Sequence, residues 1–123
     1  MSTVLVTGGS GFIGSHCLEP LAAAGFDVHA VQSSGPSREG PRVTWHTTNL
    51  LVESEVELLV EAVQPTHLLH LAWFATPGVF PTAAINAHWA EASLMLVRRF
   101  AECGGRRVVS AGTSYEYDWQ YGF

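Results

Sequence analysis

The sequence predicts an α/β fold: a doubly wound parallel sheet of about five strands with helices on both faces. Three observations predict it. Short β-branched runs alternate with segments of helical period. Glycine and proline mark most of the junctions between them. A glycine-rich turn, Gly8 to Gly11, joins the first strand to the first helix. Strands that alternate with helices pair in parallel through right-handed crossovers.

Each element follows from its residues. Thr3–Thr7 is a β-branched run ending at glycine and reads as a strand buried on both faces. Phe12–Ala24 follows as a helix with Phe12, Ile13, Leu18 and Leu21 apolar and Gly25 as its stop; Pro20 inside it is a local conflict that would kink it. Asp27–Val31 is the second strand. Ser33–Pro41, rich in Ser, Gly and Pro, is a loop, and Arg42–Thr47 the third strand. Val52, Val56, Leu59, Val60 and Val63 share one face of a helix that Pro65 ends. His67–Leu71 is the fourth strand, Phe80–Cys103 one long helix closed by Gly104 and Gly105, and Arg106–Ser110 the fifth strand. Aromatic rings at Tyr115, Tyr117, Trp119, Tyr121 and Phe123 recur at every second position, which predicts an extended segment with one apolar face.

The bulk numbers set limits. The 123 residues suffice for one domain and one core. A hydrophobic fraction of 47% with 14% charged residues is that of a folded globular protein. A net charge of -5 argues against non-specific binding to nucleic acid. The cations are all arginine (Arg38, Arg42, Arg98, Arg99, Arg106, Arg107), and the chain has no lysine. Cys17 and Cys103 are far apart and fit a reducing compartment. The N-terminus lacks a basic signal-peptide start, and no apolar run approaches the roughly 20 residues of a membrane helix, so the expected location is the cytoplasm, without a membrane partner.

The strongest motif spans Thr7 to Gly14. Gly8, Gly11 and Gly14 give G-x-x-G-x-x-G, while Gly9, Gly11 and Gly14 give G-x-G-x-x-G. Its position after a strand and at the start of a helix makes it a candidate dinucleotide-binding loop of Rossmann type. The first glycines permit a sharp turn, the middle one leaves room for a pyrophosphate, and Gly14 lets the helix pack close. The helix N-terminus then offers free N–H groups and the positive end of its dipole. The alternative is a turn that merely connects strand to helix.

On these residues the chain resembles the extended short-chain dehydrogenase/reductases of the NAD-dependent epimerase/dehydratase family, over their N-terminal half. The resemblance rests on T-G-G-x-G-F-I-G at Thr7 to Gly14, on His70, Leu71 and Ala72, on Asn86, and on Val108 to Thr113 followed by Tyr117. It implies NAD or NADP as cofactor, a nucleotide-sugar substrate in the full enzyme, and a homodimer formed through the long helix. It implies that Gly8, Gly11, Phe12, Ile13 and Gly14 hold the pyrophosphate. Asn49 and Leu50 take the place of an Asp-Leu pair at the adenine, with the charge lost. Leu71, Ala72 and Trp73 pass near the nicotinamide ribose, and Thr113 stands where a catalytic Ser or Thr holds the substrate oxygen.

Two departures follow. Cofactor choice is made at the end of the second strand, by an acid for NAD or an arginine for NADP. Gln32, Ser33 and Ser34 write neither preference; Arg38 is either a surface-loop arginine, the simpler reading, or one that swings onto a 2′-phosphate. The family's Tyr-x-x-x-Lys pair, whose lysine lowers the tyrosine pKa, is absent: four residues after Tyr117 stands Tyr121. The expectation is therefore the front of a longer enzyme or a shortened relative, and the competing function is a non-catalytic dinucleotide-binding module.

Other features carry less. His67 and His70 on one strand face opposite ways and cannot share a metal, and His46 and His88 lack partners at ligand spacing. Glu53, Glu55, Glu57 and Glu61 make a solvated helix face. Ser110 and Ser114 lack the His and Asp of a hydrolase.

Overall fold

The computed structural model describes residues 1–74, 84–118 and 120, with the Tyr115 side chain left aside. The elements run β1 (Thr3–Thr7), α1 (Phe12–Ala23), β2 (Asp27–Gln32), β3 (Val43–Thr47), α2 (Glu53–Val63), β4 (His67–His70), α3 (Ile85–Glu102) and β5 (Arg107–Ser110), with a short 3-10 turn at Ser114–Glu116. The strands form one sheet in the order β3-β2-β1-β4-β5, and every pairing is parallel. This is the expected doubly wound sheet. Residues 80–83 of the expected long helix, and Trp119, Tyr121 and Phe123 of the aromatic tail, lie outside the described residues.

The two-residue period of the central strands fills both faces. Leu5, Val31 and Leu68 join Val56, Leu59 and Val60 of α2 and Leu96 and Phe100 of α3 on one side. Val4, Val6, Val28 and Ala30 meet Leu18 and Ala22 of α1 on the other. Trp89 of α3 packs at the margin of the first cluster. Arg99 of α3 bridges Glu61 of α2 and Glu102, which ties part of the acidic helix face to its neighbour.

Helix α1 continues through Pro20 to Ala23, as its apolar pattern predicts. Proline removes the N–H that would meet the His16 carbonyl, and both residues are exposed, so water can satisfy that oxygen. One expectation needs correction, at the tail. The tail does not start extended: Glu116 N–H donates to Thr113 O and Tyr117 N–H to Ser114 O, closing a 3-10 turn. The β2–β3 register brings His46 Nε2 within 2.9 Å of His29 Nδ1, a contact between two rings that belongs to no three-ligand metal group among the described residues.

Candidate functional site

Five strand ends converge on one cleft of about 450 Å³. Gly8 follows β1, Ser33 follows β2, Thr48 follows β3, Leu71 follows β4 and Ala111 follows β5, and all five line it. The cleft therefore opens at the carboxyl edge of the sheet. It spans the point between β1 and β4 where the strand order reverses, the ordinary binding place of doubly wound sheets.

The glycine turn forms one wall. Gly8 adopts φ +67, a left-handed conformation, and its hydrogen side faces the chain after β4: a Cβ there would lie 3.0 Å from Ala72 N. Gly11 N–H donates to Gly8 O at 3.0 Å, which closes the turn. A Cβ on Gly14 would lie 2.1 Å from Gly8 O, so only glycine lets α1 start this close to the turn. The first intrahelical bond is Ser15 N–H to Gly11 O at 3.0 Å. The N–H groups of Phe12, Ile13 and Gly14 thus precede the helix ladder. Gly11 is the N-cap, no side chain caps the helix and its first turn holds no acid. The Phe12 and Ile13 side chains are exposed, and both residues line the cleft.

A buried hydrogen-bond chain sets the opposite wall. Thr7 and His70 are register partners on β1 and β4. Thr7 Oγ1 accepts from the N–H groups of Leu71 at 3.0 Å and Ala72 at 3.2 Å. Its own proton is then donated to His70 Nδ1 at 2.7 Å. His70 Nε2 consequently carries the ring proton and donates to Ser93 Oγ of α3 at 2.8 Å. Burial lowers the His70 pKa, which favours this neutral ring. The clamp holds Leu71 and Ala72 against the glycine turn. Sequence reasoning took Thr7, His70 and Leu71 as motif letters without the bonds between them, and missed Ser93, which lies 23 residues from the histidine.

Trp73 and Trp89 line the far end, with ring centroids 6.2 Å apart, and Trp73 Nε1–H donates to Asn86 Oδ1 at 2.7 Å. Leu50 is buried beneath the cleft and Asn49 is exposed at its rim, where Asn49 Oδ1 accepts from Leu51 N–H at 3.1 Å. The carboxamide nitrogen is the donor Asn49 can still offer.

Gly8, Gly11, Phe12, Ile13, Gly14, Ser33, Asn49, Leu50, Leu71, Ala72 and Trp73 therefore come together around the cleft. Gln32 and Thr113 do not line it. Gln32 is buried, its Nε2 donating to Pro36 O at 2.8 Å and Thr47 Oγ1 at 3.0 Å. Thr113 is exposed two residues beyond Ala111, and its carbonyl closes the 3-10 turn. Among the described residues no group of three His, Cys, Asp or Glu side chains is placed to hold a metal ion. No described helix is long and apolar enough to cross a membrane.

The chain is similar in sequence and fold to sugar-nucleotide epimerases. A UDP-glucose 4-epimerase of Schizosaccharomyces pombe is 33% identical over 86 residues, covering 62% of this chain and 24% of that protein. The Thermus thermophilus UDP-glucose 4-epimerase in complex with NAD superposes with a TM-score of 0.76 at 31% identity, over 90% of this chain and 37% of its own. The Thermotoga maritima UDP-glucose 4-epimerase with UDP-glucose gives 0.73 at 25% identity, over 90% and 38%. The chain thus spans well under half the length of each. The profile of the NAD dependent epimerase/dehydratase family matches residues 4–122, so this chain belongs to that family.

Proposed function

We propose that this chain is the dinucleotide-binding portion of an NAD(P)-dependent nucleotide-sugar epimerase, dehydratase or reductase. The observation that carries the reading is the uncapped start of α1. Three backbone N–H groups, at Phe12, Ile13 and Gly14, meet a cleft whose floor is the carboxyl edge of the sheet. Such a terminus stabilises a diphosphate by hydrogen bonds and by its dipole. Gly14 and Gly8 make the close approach sterically possible. The NAD held by the Thermus relative supports the same cofactor class for this site.

In this reading Gly8 to Gly14 hold the diphosphate, Asn49 and Leu50 border the adenine, and Leu71, Ala72 and Trp73 border the nicotinamide ribose. When bound, the nicotinamide exchanges a hydride with a sugar carbon. The Thr113 hydroxyl would hold the oxygen on that carbon. A general base cannot be a lysine of this chain, because it contains none. The UDP-glucose held by the Thermotoga relative supports a nucleotide sugar as substrate of the whole protein. Free thiols at Cys17 and Cys103 support a reducing location such as the cytoplasm. The competing reading is a binding module without catalysis. The two part on the sequence downstream in the gene: a Tyr-x-x-x-Lys motif supports the enzyme, and a stop after Phe123 supports the module.

The site is tested by titrating the folded protein with NADH and NADPH and following cofactor and tryptophan fluorescence. Saturable binding of at least one, weakened at least tenfold in Gly11→Glu, is expected, since that variant puts a carboxylate where the diphosphate sits. A folded protein that binds neither overturns the assignment.

A further inference from the structure

We propose that Arg38 makes this site selective for a dinucleotide carrying a phosphate on the adenosine 2′-oxygen, so that NADP is preferred over NAD. The inference rests on the dinucleotide reading above and concerns the end of β2, where the adenosine ribose lies in a sheet of this type.

No residue from Gln32 to Arg38 carries a carboxylate that could accept from ribose hydroxyls; the nearest in sequence is the exposed Glu39. The residues after Val31 are Gln32, Ser33, Ser34, Gly35, Pro36 and Ser37, and Gln32 turns inward. Both N–H donors of the Gln32 carboxamide are used, to Pro36 O and Thr47 Oγ1, and its oxygen accepts from Arg38 Nε at 2.9 Å. Gln32 is therefore a bracket for the arginine and is not itself a ribose contact.

A second support holds the same guanidinium. Arg38 Cζ lies 5.3 Å from the centroid of the Trp45 ring, within cation–π range. The β2–β3 register pairs Trp45 with Ala30, and the indole reaches the glycine turn: a Cβ on Gly9 would lie 3.5 Å from it. Arg38 is thus tied at once to the end of β2 and, through Trp45, to the flank of the loop that faces the diphosphate. Ser33, next to Gln32, lines the cleft with a side chain too small to block it.

The charge is also unspent. Among the described residues Arg42 pairs with Glu19, and Arg99 with Glu61 and Glu102, whereas no carboxylate lies within ion-pair distance of Arg38. With Nε engaged by Gln32, its terminal nitrogens remain as donors in the forked geometry that suits a phosphate. An arginine oriented in advance forfeits less side-chain entropy on binding than a free surface arginine does.

The test is calorimetric titration of the protein with NADP+ and with NAD+, alongside Arg38→Ala and Ser33→Asp, each variant checked for native circular dichroism. NADP+ is expected to bind at least tenfold more tightly than NAD+. Arg38→Ala should erase that difference by weakening NADP+ alone. Ser33→Asp should reverse it, by repelling the phosphate and offering an acceptor to the ribose hydroxyls. Equal binding, tighter NAD+, or an Arg38→Ala variant that weakens both alike would overturn the role of Arg38 and leave the dinucleotide site standing. Binding of neither by the folded wild type would overturn the dinucleotide reading itself.

Discussion

β1 and β5 are built from similar residues and live in different surroundings. Both are short, β-branched runs in one parallel sheet. Leu5 and Val6 of β1 are fully buried, between α1 on one face and α2 with α3 on the other, whereas Val109 of β5 is 54% exposed. Among the described residues β5 pairs along one edge only, with β4. A hydrophobic run thus specifies a strand, while its contribution to stability depends on what is laid over it. The cleft is built from the buried side: β1, its glycine turn and α1 form its rigid wall, and β5 adds only the adjacent Ala111.

The sharpest way to break this contrast is at Gly14. Its substitution by alanine drives a methyl group against the Gly8 carbonyl, a backbone clash that no rotamer relieves. Gly14→Ala is expected to cost about 3 kcal/mol or more in urea denaturation and to abolish dinucleotide binding. Next comes truncation of the buried strand: Leu5→Ala should cost about 3 kcal/mol. The matching change on the other strand, Val109→Ala, should cost less than about 1 kcal/mol, because more than half of that side chain already meets water. Comparable losses at the two strands would show that β5 is covered as β1 is.

The smallest effect is a pH dependence at the clamp between β1 and β4. Burial lowers the folded pKa of His70, so the unfolded chain takes up its proton first as pH falls. The stability this neutral ring contributes is complete above about pH 6.5 and is lost as pH drops through the lowered folded value. Protonated Nδ1 would also confront the Thr7 hydroxyl, whose oxygen already accepts two N–H groups. His46, lowered by burial and by His29, acts in the same direction. Thermal denaturation should therefore show Tm falling as pH drops below about 6.5, and falling less in His70→Gln. An identical slope in that variant would remove His70 from the account.

What could be read in the sequence was what local geometry dictates. The glycine turn was legible because the pattern Gly8, Gly11, Gly14 has a steric reason that does not depend on the rest of the chain. Strand and helix order was legible for the same reason. Long-range partners were not: Thr7, His70 and Ser93 meet only once β1, β4 and α3 are placed, and Arg38, Gln32 and Trp45 only once β2 and β3 are in register. The aromatic alternation after Thr113 misled, because two backbone hydrogen bonds between residues three apart close a 3-10 turn there that a two-residue pattern does not foresee.

The central claim is that the first amides of α1 receive a diphosphate. Backbone amide chemical shifts, followed by NMR while NAD+ or NADP+ is added, test it most directly. The account predicts that the N–H groups of Phe12, Ile13 and Gly14 move most and that those of Val108 and Val109 stay nearly still. Saturating shifts centred on β5, with the α1 amides unmoved in a folded protein, would contradict it.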